Sequence, residues 1–188
     1  MSELHLILGP MFAGKTTTLI NKAKEISENS ENNKTVSKDE ILIINHSSDT
    51  RYSENTFITS HDNIKIPCIA MSSLSTIFTI QDNISKIKYI FINEGQFFPD
   101  LFNIVKELLF KYKIKIYICG LDGDYKQEPF PNCKLLELIP LASSVIKLNA
   151  KCSYCNNSAP FTKRIINSID IFLVGGSESY QPVCIEHL

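Results

Sequence analysis

The segment Gly9-Pro10-Met11-Phe12-Ala13-Gly14-Lys15-Thr16 constrains the fold more than any other, because it matches G-x-x-x-x-G-K-[ST] at every fixed position. Its flanks agree with it. Leu4 to Leu8 is an apolar run suited to a buried strand, and Leu19, Ile20, Ala23 and Ile26 follow at helical spacing. Between a strand and a helix, such a loop aims successive backbone N–H groups inward while the helix start adds its positive dipole end. A polyphosphate is the expected ligand. Lys15 is expected to neutralise the outer phosphates and the Thr16 hydroxyl to ligate Mg²⁺. The nucleotide-binding set is thus Gly9, Pro10, Met11, Phe12, Ala13, Gly14, Lys15, Thr16 and Thr17.

The rest of the first three quarters alternates strand and helix patterns. Ile41 to Ile44, Tyr89 to Ile92 and Ile114 to Cys119 are short apolar runs, Ser72 to Ile80 predicts a short helix, and Ser27 to Asp39 reads as a polar surface loop. The clearest helix starts near Pro99 and keeps Leu101, Ile104, Val105, Leu108, Leu109 and Tyr112 on one face. Near-continuous apolar strands separated by helices predict an α/β fold: a P-loop NTPase-like parallel sheet with helices on both faces. The texture changes near Ser144. We expect an α/β domain over 1–144 and a small C-terminal domain over 145–188.

Charge narrows the partners. Nineteen Lys and Arg face 20 Asp and Glu, a formal net charge of -1, so the basic excess on which nucleic-acid binding rests is missing. No apolar run reaches the roughly 18 residues that span a bilayer, and Met1-Ser2-Glu3 lacks the layout of a signal peptide. The expectation is a cytoplasmic protein with neither nucleic acid nor membrane as partner. In a reducing compartment its 6 cysteines should not form structural disulfides. Cys68, Cys119 and Cys133 read as small buried hydrophobes or inert thiols. By contrast, Cys152-Ser153-Tyr154-Cys155 and Cys184-Ile185-Glu186-His187 are two C-x-x-[CH] knuckles with the spacing of a tetrahedral zinc ribbon. With four protein ligands and no open position, Cys152, Cys155, Cys184 and His187 predict a structural Zn²⁺ that helps fold the second domain.

One further segment carries chemistry. The strand Tyr89 to Ile92 delivers Asn93 and Glu94 at its C-terminal end, the Walker B position beside a phosphate loop. There Glu94 can accept a proton from an attacking hydroxyl.

GPMFAGKT, DTRY with His61-Asp62, FINEGQFFPD, GLDGDY with EPF, PFTKR and VGGSESY stand in the order and spacing of the type II thymidine kinases. The chain resembles that family, which includes the cytosolic cellular and poxvirus enzymes, from about Leu4 to His187. The resemblance implies transfer of the γ-phosphate of ATP to the 5′-hydroxyl of thymidine, with deoxyuridine as a possible second substrate. It makes Glu94 the general base, with Lys15 and Arg51 completing the catalytic set. It places Met11, Phe97, Leu121, Tyr125, Phe130 and Thr162 around the thymine base. Ile171, Phe172, Leu173, Val174, Gly175 and Tyr180 fall in a lasso loop whose backbone meets the pyrimidine edge, so the second domain is a zinc-ribbon and lasso lid. It also implies feedback by dTTP and a homotetramer.

Two positions depart from the family pattern. Asn93 stands where Asp is usual, so Mg²⁺ is expected to meet Thr16 and a neutral amide, with a raised Mg²⁺ requirement. His187 replaces a cysteine as fourth zinc ligand, one residue from the last position. Two rivals therefore stand beside the kinase: a nucleotide-binding zinc-ribbon protein with lost or weakened activity, and a deoxynucleoside kinase of broader substrate choice. Lys163 and Arg164 are expected on a solvated face or at a subunit contact.

Overall fold

The computed structural model describes residues 1–28, 36–49, 57–60, 63–80, 84–171 and 173–188. Arg51, His61, Asp62, Phe172 and most of the Ser27 to Asp39 loop lie outside the described residues.

Six parallel strands form the centre. Strand β1 (Glu3–Gly9) leads through the phosphate loop into helix α1 (Lys15–Glu28), followed by β2 (Ile41–His46). A small hairpin of β3 (Phe57–Thr59) and β4 (Lys65–Pro67) precedes β5 (Ile69–Met71), and helix α2 (Ile77–Ile80) precedes β6 (Tyr89–Ile92). Helix α3 (Leu101–Phe110), β7 (Lys115–Leu121) and β8 (Ser144–Lys147) complete the layer, in the order β5-β2-β6-β7-β1-β8. The pairing of β1 with β7 runs in register from Glu3 opposite Lys115 to Gly9 opposite Leu121. All these strands point the same way, so Gly9, His46, Asn93 and Leu121 gather at one end of the sheet. A crevice at the carboxyl ends of parallel strands is where α/β folds hold their ligands.

The pleat divides the apolar residues between two layers. Leu4, Leu6, Leu8, Ile90, Ile92, Ile116 and Ile118 join Leu101, Val105 and Leu108 of α3 on one face. On the other, Ile7, Phe91, Tyr117 and Cys119 pack against Leu19 and Ala23 of α1. Each fully buried Leu or Ile contributes about 1.5–3 kcal/mol, and coverage of both faces explains why these strands read as continuous apolar runs. Among the described residues, no helix is long and apolar enough to cross a membrane.

Element ends differ from the sequence reading for local reasons. The segment Ser72 to Ile80 splits into a 3₁₀ turn over Leu74–Thr76 and the short α2. The turn is held from outside by the Asp100 carboxylate, which accepts from Ser73 Oγ at 2.6 Å, Leu74 N at 3.1 Å and Ser75 N at 2.8 Å. Burial opposes the charge on Asp100, yet these bonds outweigh it and hold its pKa below the usual value. Helix α3 begins at Leu101, after Pro99 and Asp100, and stops at Phe110, so Tyr112 packs on the core from beyond the helix end.

After β8 the chain forms two small antiparallel ribbons: β9 (Ala150–Lys151) with β10 (Ser158–Ala159), and β11 (Phe161–Arg164) with β12 (Tyr180–Val183). They enclose a separate small core of Ala150, Cys152, Ala159, Val183 and Cys184.

Candidate active site and metal cluster

The phosphate loop is shaped by backbone that few residues tolerate. Gly9 sits at φ 146°, and a Cβ there would collide with the Leu148 carbonyl oxygen, so only glycine fits. Gly14 lies at φ 79° and Phe12 at φ 64°, two left-handed positions that turn the loop sharply. Lys15 is buried and donates from Nζ to the Pro10 carbonyl at 2.6 Å. The Met11 N–H donates to Thr162 Oγ1 at 2.9 Å, which ties the loop to β11.

Glu94 follows β6 at φ 54°, ψ 44°, a left-handed conformation that costs a non-glycine residue about 1–3 kcal/mol. Its carboxylate is held by Gln96, whose Nε2 donates to Oε2 at 2.5 Å while its Oε1 accepts the Leu121 N–H at 3.0 Å. The Gln96 amide is therefore fixed at both ends. Beside Glu94, Asn93 is fully buried; its N–H donates to Ile44 O at 2.9 Å and its Oδ1 accepts from Thr16 Oγ1 at 3.3 Å.

These groups open onto one cavity of about 400 Å³, within the range that takes a small ligand. Met11, Phe12, Ala13, Gly14, Lys15, Thr16 and Thr17 form one wall. Glu94 and Thr162 line it as well, together with an apolar and aromatic wall of Phe97, Leu121, Tyr125 and Phe130, and Ile171, Leu173, Val174, Gly175 and Tyr180 complete the lining. The Phe97 and Phe130 rings meet edge to face at 6.3 Å, and His46 packs against Phe97 from behind at 5.6 Å. Burial, against the Ser72 backbone and the charges of Glu94, Asp49 and Asp100, draws the His46 pKa down, so this ring packs neutral. Gly9, Pro10 and Asn93 lie outside the cavity lining, whereas Ser48, Asp49, Gly123 and Asp124 belong to it. Asp124 shapes the wall: its Oδ1 accepts from Lys126 N at 2.7 Å and Glu128 N at 3.1 Å, closing the turn that carries Tyr125.

Arg164 organises the segment between β11 and β12. Its guanidinium lies 3.8 Å above the Tyr125 ring and donates to Ser168 O at 3.0 Å, Ile171 O at 3.3 Å and Tyr180 Oη at 2.9 Å. Tyr180 Oη in turn donates to Leu173 O at 2.8 Å. One planar cation thus joins β11, β12, the loop between them and the aromatic wall. That is the geometry in which Arg differs most from Lys.

The two knuckles converge. One donor atom from each of Cys152, Cys155, Cys184 and His187 lies within 4.8 Å of all the others. The Cys155 and Cys184 sulfurs are 3.7 Å apart, close to the ~3.8 Å edge of a tetrahedron with metal–sulfur bonds of about 2.3 Å. His187 offers Nδ1, 3.2 Å from the Cys184 sulfur. Burial disfavours the Cys152 thiolate, but backbone hydrogen bonds from Cys184, Tyr154 and Cys155 outweigh it and pull the thiol down to about 6. Cys155 moves upward: the Asn157 backbone bond that lowers it is outweighed by burial and the neighbouring thiols. The residues fit zinc by donor type, number and spacing. Position near the chain end does not leave His187 loose, since Tyr154 stacks on its ring at 5.2 Å and Lys163 Nζ donates to its carbonyl at 2.9 Å.

A sequence profile of the family described as thymidine kinase matches residues 2–188. The chain belongs to the thymidine kinase family. It is 37% identical over 182 residues to the thymidine kinase of Myxoma virus (strain Uriarra), covering 97% of this chain and 93% of that protein. The thymidine kinase of Yaba monkey tumor virus is 40% identical over 181 residues, 96% of this chain and 91% of its own. Thymidine kinase 1 of Dictyostelium discoideum is 37% identical over 185 residues, with 97% and 75% covered. These matches support thymidine phosphorylation rather than a ribbon protein that only binds nucleotide.

Within this thymidine kinase family member, several structural contacts were not expected from sequence. Lys163 and Arg164 are engaged internally, not displayed on a solvated face. Cys119 is more than a filler, because its S–H donates to Asn93 Oδ1 at 2.9 Å. Gln96, two residues beyond Glu94, clamps it. Its only signal was its place in the NEGQFF segment. Replacing Arg164 by Met removes charged hydrogen bonds worth about 1.5–3 kcal/mol each, so the thymidine KM should rise tenfold or more while the ATP KM stays within about twofold. Steady-state kinetics with each substrate varied checks this. Arg164→Lys should recover little, because an ammonium cannot reach three acceptors from a plane.

Proposed function

We infer that this chain transfers the γ-phosphate of ATP to the 5′-hydroxyl of thymidine, giving dTMP and ADP, on a P-loop NTPase-like scaffold. The single observation that carries the reading is that Glu94 shares one cavity with Lys15 and Thr16 and with the Phe97 and Phe130 rings. The backbone N–H groups of the loop and Lys15 take the triphosphate, with Lys15 leaving Pro10 O for the phosphate oxygens. The flat base lies among Met11, Phe97, Leu121, Tyr125, Phe130 and Thr162, where apolar and aromatic surface suits it. Its hydrogen-bonding edge meets the backbone of the lasso segment, whose Ile171 and Leu173 carbonyls are held through Arg164 and Tyr180. Glu94 then takes the proton of the 5′-hydroxyl as that oxygen attacks in line. Arg51, by resemblance, supplies a cation to the transferring phosphoryl group.

Hard oxygen donors around Thr16 fit Mg²⁺, which supplies charge neutralisation of the β- and γ-phosphates. Cys152, Cys155, Cys184 and His187 hold Zn²⁺, whose contribution is structural. We divide the chain into a catalytic domain over 1–144 and a zinc-ribbon and lasso lid over 145–188. β8 still adds Ser144–Lys147 to the main sheet, while the segment from Ala150 onward has its own core. dTTP unites the thymine and triphosphate that the two parts of the cavity take, which supports it as a feedback inhibitor. A homotetramer is supported by exposed Val145 and Ile146 on the edge strand β8, where unpaired backbone invites another chain. A set of three cysteines and a histidine that takes metal as reduced thiols is in keeping with a cytoplasmic site of action.

A coupled assay of ADP release with thymidine, deoxyuridine, deoxycytidine and deoxyguanosine tests the reading. Thymidine should give the highest kcat/KM, with deoxyuridine next. Equal turnover of the purine nucleoside would favour the broader kinase instead.

A further inference from the structure

The last residue of one apolar row is polar, and the mechanism above gives it no part. Along β2, Leu42 and Ile44 alternate into the core they share with α3, and the next position on that side of the strand is His46. The residue is 8% exposed, so both ring nitrogens need partners. Nδ1 accepts the Ser48 N–H at 3.1 Å. A neutral imidazole with Nδ1 as acceptor carries its proton on Nε2. The hydrogen bond to the Ser72 backbone favours the protonated ring, so it is a donation to the Ser72 carbonyl. Backbone from two loops, one after β2 and one after β5, thus fixes the plane of the ring.

What that fixed plane meets is aromatic. The Phe97 ring lies 5.6 Å from it at 47°, and the Phe98 ring meets it edge to face at 4.7 Å and 82°. Phe98 is fully buried, whereas Phe97 lines the cavity and His46 does not. His46 therefore stands one layer outside the lining, anchored on a core ring and packed on a ring that faces the substrate. A leucine continuing the row would fill the space but leave the Ser48 N–H and the Ser72 carbonyl without partners, and an asparagine would bond to the backbone but offer no ring. Histidine meets both demands at once. The Glu94 carboxylate is secured separately, because Gln96 clamps it from an anchor on the Leu121 N–H. A change at His46 should accordingly fall on the base and not on proton transfer.

We propose that His46 is a positioning residue of the base site: pinned by the Ser48 and Ser72 backbone, it holds the Phe97 ring in the cavity wall and so sets the affinity for the nucleoside without touching it. The proposal rests on the kinase reading above and names what orients one of its wall rings.

Steady-state kinetics on the full-length, zinc-loaded protein, paired with thermal melting, tests it. H46N keeps an oxygen for the Ser48 N–H and loses the ring. Its thymidine KM should rise about 3- to 10-fold, the size of one aromatic pair's contribution, with kcat and the ATP KM within about twofold. H46L, which fills the space without a ring, should give the same rise and stands in where H46N does not fold. H46F restores a ring but strands the two backbone groups, so it should melt below the wild type yet keep the thymidine KM within about twofold. A residue that only supported the fold would make KM follow Tm in every variant. F97L closes the cycle: it should raise the thymidine KM by itself, and adding H46N to it should raise the KM no further. An unchanged thymidine KM in both H46N and H46L, or an equal rise from H46N with and without F97L, would overturn the proposal and leave the kinase reading standing. Wild-type protein that turns over no thymidine would overturn both.

Discussion

Replacing Glu94 by Gln should lower kcat for thymidine by about 10²- to 10⁴-fold, the contribution expected of the general base proposed above. The amide keeps the size and one oxygen of the carboxylate, so Gln96 can still donate to it and the left-handed turn at 94 is preserved. Binding of both substrates should therefore be spared, and KM values should stay within about threefold, as when an interaction made only in the transition state is removed. The loss falls on the proton, because a neutral amide cannot take one from the 5′-hydroxyl. Gln96→Leu is the companion variant. It leaves the carboxylate in place but unclamped, and it strands the Leu121 N–H that Gln96 Oε1 accepts. It should lower kcat less than Glu94→Gln does. Stopped-flow or steady-state kinetics on the two variants separates chemistry from positioning.

Removal of zinc should have an equally large effect on the two C-terminal ribbons. Structural zinc sites of this donor type contribute apparent binding energies of about 10–16 kcal/mol at neutral pH, and the small core of Ala150, Cys152, Ala159, Val183 and Cys184 is too slight to replace that. Chelation, or Cys152→Ser, should therefore unfold the two ribbons while the six-stranded sheet persists. Two connections carry the consequence to the active site. Thr162 on β11 accepts the Met11 N–H, and Arg164 on the same strand holds the Ile171 carbonyl directly and the Leu173 carbonyl through Tyr180. The thymidine KM should rise first and steeply, while ADP still binds to the loop after β1. Hydrogen exchange reads this directly: amides of β9 to β12 lose protection in the chelated protein and those of β1, β6 and β7 do not. Retained protection across the ribbons would refute a structural metal.

What the sequence made legible was local. The phosphate loop, the strand Tyr89–Ile92 and the two knuckles are set by spacing within a few residues, and the structure reproduces their bounds closely. Apolar runs likewise predicted the parallel sheet, because burial on both faces leaves a continuous signature. Contacts between distant residues left no such trace. Arg164 reaches Tyr125, Asn93 reaches Asn45 and Cys119, and Gln96 reaches Leu121 only after the sheet brings them together. The same reason explains why Lys163 reads as a solvated charge in the sequence: its partner is the carbonyl of His187, across the ribbon. The short β3–β4 hairpin and the six-residue 3₁₀ segment Leu136–Leu141, with Pro140 inside it, carry no periodic pattern long enough to be read.

The loop after β1, the Glu94 carboxylate at the end of β6 and the Phe97–Phe130 wall share one cavity, and on that arrangement the proposed 5′-kinase chemistry rests. The decisive test is to incubate the zinc-loaded protein with Mg²⁺, γ-labelled ATP and thymidine, then resolve the products. The label should appear in thymidine 5′-monophosphate, in step with ADP, and vanish from that product in Glu94→Gln. Label released as free phosphate, or none transferred by the folded zinc-loaded protein, would refute the kinase assignment.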